Sequence, residues 1–153
     1  MIRHVAGIAE IVEDVEAAVA YYRAVLGLDV EHEAGAQYAV VQVPGVLHYG
    51  VWGRGAAARS TFGDPGAAHR VPLGFTVGFE VESIEDASGV AGRAGCDMAQ
   101  GPRTEPWGQR TARFLSVSGA LCEFSETPWA RRITQELKAA GKSNRLRPED
   151  PKP

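Results

Sequence analysis

Glu123 stands out for the company it keeps. It lies in Ala120-Leu-Cys-Glu-Phe124, between Cys122 and Phe124, where apolar alternation reads as a strand. A carboxylate in such a place needs a cation, a metal ion or an open cavity, because burying it unpaired is costly. Arg110 and Arg113, on the adjoining strand, are the cations within sequence reach. His48 is the second group that could do chemistry, and it shares a strand face with Gly50 and Trp52. An imidazole and a carboxylate in one cavity could move a proton or contribute to a metal site. Trp52 ends one strand and Trp107 precedes another. Each either stacks on a planar or cationic ligand or packs a sheet end. Cys96 and Cys122 have no metal-binding spacing and read as two packed thiols. His32 and His69 read as surface or loop residues.

An internal repeat supplies the elements that position these groups. VEDVEAAVAYYRAVLGLDV, from Val12, is echoed by VESIEDASGVAGRAGCDM, from Val81. Each copy leaves an alternating strand, enters a helical pattern and stops at a glycine. Asp14 and Ser83 are the expected N-caps, and Gly27 and Gly95 the expected ends. Val15, Ala18, Val19, Tyr22 and Leu26 form the first apolar stripe, and Ile84, Ala87, Val90 and Ala91 the second. Strands are expected at residues 8–12, 30–34, 38–43 and 46–52, with a turn at Pro44-Gly45. The second set is expected at 75–81, 97–100, 111–117 and 120–125, with a turn at Ser118-Gly119.

This is an α+β pattern of two tandem βαβββ modules, about 5–53 and 74–126. Their mixed sheets should curl around a cavity with the helices on the outer faces. Residues 54–73, rich in Gly and Ala, read as a connecting loop, so residues 1–126 form one domain. Residues 127–153 read as an extension: a short amphipathic helix through Trp129, Ile133 and Leu137, then a disordered tail.

The chain has 153 residues, 44% hydrophobic and 23% charged, ordinary values for a globular protein. No apolar run approaches the roughly 20 residues that span a bilayer, and MIRHVAG carries no signal-peptide core. A cytoplasmic protein without membrane partners is expected. Residues 127–153 hold seven basic and three acidic residues, net +4, so residues 1–126 carry −7 of the total −3. The basic end has one aromatic residue and no nucleic-acid motif, and it reads as solvated. The acidic body favours cationic over anionic ligands.

EDVEAAVAYYRAVLGL, FEVESIEDA, and EPWGQR followed by SGALCEF together resemble the vicinal oxygen chelate superfamily. It includes glyoxalase I, bleomycin-resistance proteins and extradiol dioxygenases, and the resemblance covers about residues 5–126. Its enzymes hold a divalent metal through His, Glu, His and Glu, one from each of four strands. Carried over one by one, the first of these positions is Gly7, which has no donor atom. The second is Gly50 if anchored on Trp52, or His48 or Tyr49 if anchored on Gly45. The third is Thr76, a poor ligand, and the fourth is Glu123.

Strand parity adds Ala9 and Ile11 to Gly7, Gly78 and Glu80 to Thr76, and Leu121 and Ser125 to Glu123 as cavity wall. Trp107 and Arg110 join it from the PWGQR segment. Glu10, where the family carries an apolar residue, either turns toward the cavity on a bulge or lies at an exposed edge.

The resemblance implies a metal-free small-molecule-binding protein of the bleomycin-resistance type, homodimeric, without a cofactor and holding a small cationic or aromatic ligand. The alternatives are enzymes. In one, metal-independent, Glu123 helped by His48 moves a proton. In the other a divalent metal sits on His48 and Glu123 with His4 or Glu10. An interaction module using the basic tail is the non-catalytic alternative.

Overall fold

The computed structural model describes residues 2–129. Its elements are β1 (Ile2–Val12), α1 (Val15–Ala24), β2 (Val30–Glu31), β3 (Tyr38–Val41), β4 (Tyr49–Gly53), α2 (Arg54–Phe62), a 3-10 helix (Pro65–Arg70), β5 (Gly74–Val81), α3 (Ile84–Arg93), β6 (Asp97–Thr104), β7 (Arg110–Leu115) and β8 (Leu121–Glu126). The strands form one open, eight-stranded mixed sheet in the order β2-β3-β4-β1-β5-β8-β7-β6. The two module-opening strands, β1 and β5, meet at the centre in antiparallel register, with Ala9 opposite Thr76 and Gly7 opposite Gly78. Each is parallel to the last strand of its own module, so the halves are related as the sequence repeat requires.

The helix starts follow the expected chemistry. The Asp14 carboxylate accepts from the Ala17 amide at 2.9 Å, and the Ser83 hydroxyl from the Asp86 amide at 3.2 Å. The chain turns out of both helices at Gly27 and Gly95, whose φ values of 65° and 83° favour glycine. On the outer face, α1 buries Val15, Val19 and Tyr22 against Ala39, Val41 and Val51. In the second module α3 buries Ile84 and Ala87 against Val81, Ala112 and Phe124. Leu26 and Val90, expected in the two stripes, are instead exposed: Leu26 lies past the end of α1, and Val90 stays out of the core that its neighbour Ala91 joins.

Residues 54–73 are not an irregular loop. Alanine is the strongest helix former, and AAAR extends α2 directly from β4. Asp64 then caps the 3-10 helix by accepting from the Gly66 amide at 2.8 Å. This connection packs on the inner face of the sheet. Ala57 and Ala58 have no exposed surface, and they meet Ile11, Leu121, Ala67 and Val71. Only small side chains allow a helix backbone to approach the sheet so closely. Ile11 and Leu121, each 2% exposed, are therefore core under α2 rather than cavity wall.

Two polar expectations change as well. Glu10 neither reaches the cavity nor stands at a free edge. It faces α1, where it accepts the Tyr22 hydroxyl at 2.6 Å, and Tyr22 is 2.8 Å from the Tyr49 hydroxyl. His32 is not a surface ring. It is 3% exposed at its side chain, held between the Glu16 carboxylate at 2.9 Å and the Tyr38 carbonyl at 3.2 Å. The short helix and disordered tail expected near the C-terminus fall on residues 130–153, outside those described.

Ala58→Leu should overpack the contact between α2 and the sheet. Chemical denaturation should show a loss of about 1–3 kcal/mol, and an unchanged midpoint would contradict the packing described.

Candidate ligand-binding site

A cavity of about 530 Å³ opens on the inner face beside α2, lined from both halves of the sheet. That volume lies within the roughly 300–1,000 Å³ of small-molecule sites. Among the expected wall residues, Gly7, Ala9, His48, Trp52, Thr76, Gly78, Trp107 and Glu123 line it. Ala6, Ile8, Tyr38, Leu47, Gln109, Arg113, Thr127 and Trp129 complete it.

Six expected residues are elsewhere or play another part. Glu80 and Ser125 are fully buried, with the Ser125 hydroxyl donating to Glu80 at 3.2 Å and the Thr127 amide donating to Glu80 at 2.9 Å. Ile11 and Leu121 lie beneath α2. Arg110 sits on the β7 face that carries Ala112 and Phe114, where it pairs with Glu85 and with Glu126 at 3.5 Å. The odd, three-residue offset from Arg113 decides this, because alternate strand residues point to opposite faces. Gly50 faces inward, but a Cβ there would run into the Tyr38 hydroxyl, so the Tyr38 phenol roofs it.

The partner of Glu123 is Arg113. Its Nε and Nη2 each lie 2.9 Å from Glu123 Oε2. The same guanidinium is 2.8 Å from Glu105, donates to the Ser60 carbonyl at 3.1 Å and donates to Gln100 Oε1. Arg113 and Glu105 side chains are each 1% exposed, and Glu123 is 19% exposed toward the cavity. Arg103 also pairs with Glu105, so two guanidiniums balance two carboxylates here.

The surroundings set the protonation of each acid. Burial would raise Glu105, but the Thr111 hydroxyl at 2.7 Å and the Arg113 and Arg103 charges outweigh it and hold Glu105 below the ordinary carboxylate range. Burial dominates at Glu123 and raises it, despite Arg113, with Glu105 and Glu80 adding repulsion.

Across the cavity, Tyr38 Oη lies 2.6 Å from His48 Nε2, and the two rings stack with an interplanar angle of 5°. His48 is placed by backbone pairing, since the Ile8 amide donates to the His48 carbonyl at 3.0 Å beside β1. A Cβ on Gly7 would stand 3.2 Å from His48 Cβ and Cδ2, so glycine leaves the room this ring occupies. Burial lowers the His48 imidazole, and burial followed by the negative charge of Glu123 pushes Tyr38 up to about 12. Both are thus neutral near pH 7.

A divalent metal does not fit the residues present. Gly7 and Gly50 offer no donor, and Thr76 only a hydroxyl. Glu123 is already engaged by Arg113. No group of three or more His, Cys, Asp or Glu suited to a metal ion occurs among the described residues. Glu10 faces α1 and His4 lies outside the cavity wall, so neither completes a set with His48 and Glu123.

Tyr38, Gln109 and Glu105 escaped the sequence reading. Alternation in Tyr38-Ala-Val-Val41 does place Tyr38 opposite the core-facing Ala39 and Val41, and that signal pointed inward. Nothing local marks Glu105 as buried.

Arg113→Leu should strand Glu105 and Glu123 together. Urea unfolding should show a loss of about 3–5 kcal/mol at neutral pH, and a loss below about 1 kcal/mol would remove Arg113 from this role.

No described helix is long and apolar enough to cross a membrane. Among solved structures, one similar chain is a glyoxalase/bleomycin resistance protein/dioxygenase superfamily member from Vibrio splendidus 12B01. Its TM-score is 0.57 at 15% identity, over 83% of this chain and 100% of that one. A Streptomyces coelicolor methylmalonyl-CoA epimerase variant in complex with 2-nitronate-propionyl-CoA gives 0.59 at 16% identity, over 84% and 99%. Methylmalonyl-CoA epimerase from Mycobacterium tuberculosis gives 0.58 at 18% identity, over 86% and 93%. At such identities the likeness is one of fold. No curated protein gives a significant match. The family model for the Glyoxalase/Bleomycin resistance protein/Dioxygenase superfamily matches residues 2–124, and the chain belongs to that superfamily.

Proposed function

We propose that this protein binds a small, planar, uncharged or cationic molecule in the inner-face cavity without using a metal ion. The observation that carries this reading is the fate of Glu123. It is the one carboxylate at the positions where metal-dependent relatives bind their ion, and it is tied to Arg113 at 2.9 Å. The neighbouring positions are Gly7, Gly50 and Thr76, and the space over Gly50 is taken by Tyr38. Trp52 and Trp107 give the cavity flat apolar walls on which a planar ligand can stack. Trp52 is backed by the Arg113 guanidinium, 5.3 Å from its ring centroid, which fixes the ring's position.

Full-length protein soaked with Zn, Fe, Mn, Ni and Co salts and then desalted should retain well under about one equivalent of any of them. Native mass spectrometry of gently purified protein should reveal a noncovalent small molecule that is released chemically unchanged. About one equivalent of retained metal would overturn the metal-free reading, and chemical conversion of the released compound would overturn the binding-only reading.

A second reading, a metal-independent enzyme, rests on the raised carboxyl of Glu123 at the cavity wall. A carboxyl with a raised pKa suits general acid–base catalysis, and the similar structures include methylmalonyl-CoA epimerases. On this reading Glu123 shuttles a proton to or from a carbon or oxygen of the bound molecule. Glu123→Gln should then lower turnover of the retained compound by about 100-fold or more while leaving its binding intact. Turnover equal to wild type in that variant would remove Glu123 from the chemistry.

A further inference from the structure

We infer that Tyr38 and His48, hydrogen-bonded to each other over Gly50 and Gly7, form the polar recognition centre of the cavity and select aromatic ligands that carry a hydroxyl group. This deepens the binding reading above and rests on it.

The first observation is one of replacement. Gly7 matches one ligand position of the metal-dependent relatives the sequence resembles, and Gly50 is one of the residues that could match a second. Here the space over each is filled by a side chain from another position. His48 packs against Gly7, and the Tyr38 hydroxyl sits where a Gly50 Cβ would be. The two side chains converge at 2.6 Å; a Cβ on Gly50 would displace the Tyr38 hydroxyl from this contact, and one on Gly7 would crowd the His48 ring.

The second observation is what the pair offers a ligand. Both groups are neutral, because burial lowers His48 and, with the charge of Glu123, raises Tyr38. One proton therefore lies in the contact between Oη and Nε2. When Nε2 is bare, the Tyr38 hydroxyl donates to it, and the free lone pairs of Oη accept from the ligand. When Nε2 carries the proton, His48 donates to Oη, and the Tyr38 hydroxyl is released to donate to the ligand. A hydroxyl group is the ligand function that satisfies either arrangement, since it both donates and accepts.

The third observation is charge. The Arg113 guanidinium at the cavity wall is already held by Glu105 and Glu123, and Arg103 pairs with Glu105. An anionic ligand gains nothing here, and a neutral phenol fits. The flat side chains of Trp52 and Trp107 suit its ring.

The test uses the full-length chain and two probes of nearly equal shape, 4-cyanophenol and benzonitrile, titrated by calorimetry. Wild type should prefer 4-cyanophenol by about tenfold or more, the worth of one well-formed buried hydrogen bond. Tyr38→Phe and His48→Gln should each reduce that ratio to about threefold or less, and Gly50→Ala, which keeps both polar groups but displaces the phenol, should do the same. The ratio is internal to each variant, so partial unfolding, which weakens both probes alike, leaves it unchanged. No preference in wild type, or a preference that survives in Tyr38→Phe and His48→Gln, would overturn the recognition role while leaving the cavity reading in place. Failure of both probes to bind wild type would overturn the aromatic-ligand reading itself.

Discussion

The inner face of this sheet is organised by one buried cation. Arg113 reaches Glu105, Glu123, Gln100 and the Ser60 carbonyl from a side chain that is 1% exposed. Those partners belong to β6, the turn before β7, β8 and α2, so a single guanidinium ties the second module to the connecting helix. Its planar, multi-donor geometry is what permits this, and a lysine could not reproduce the fork. A buried ion pair is weak evidence of net stability. Here it specifies position, holding Glu123 at the cavity edge and α2 against the sheet. Arg103 donates to the same Ser60 carbonyl and pairs with Glu105, which keeps the cluster electrically balanced.

α2 decides how much of the curled sheet remains open. By laying Ala57 and Ala58 on Ile11 and Leu121, it fills one end of the inner face with core. The cavity survives at the other end because Gly7, Ala9 and Gly78 line β1 and β5 there, with only small side chains to fill it. The same packing that closes one end thus gives the other its walls. Two polar groups at the open end are partnered within the protein: Glu123 by Arg113, and Tyr38 by His48. That arrangement keeps an apolar pocket from carrying the cost of unsatisfied buried groups.

Membership of the superfamily fixes the scaffold and leaves the chemistry to the site. In this chain Gly7, Gly50, Thr76 and a paired Glu123 face the inner side of the sheet. Beside them stand a neutral phenol–imidazole contact and an arginine–carboxylate cluster. Each joins side chains from different elements of the sheet and its connections.

The sequence alone determined the two modules, their helices and caps, and the inward direction of Gly7, Ala9, Thr76, Gly78 and Glu123. Those properties come from local periodicity: alternation along strands, the 3.6-residue stripe on helices, and short-range capping. It left open whether Glu123 was paired, and with Arg110 or Arg113. Parity between those two was readable, yet only the register of β7 on β8, with Arg113 opposite Glu123, made the choice. The tertiary structure also decided what no local pattern encodes. An alanine-rich connection folds onto the inner face and removes Ile11 and Leu121 from the cavity. Glu10 turns to Tyr22 on α1. Tyr38, ten residues before His48 and on a neighbouring strand, meets it over two glycines. Each depends on groups brought together across strands and helices. Sequence spacing reports the face of an element, and only packing reports what stands opposite that face.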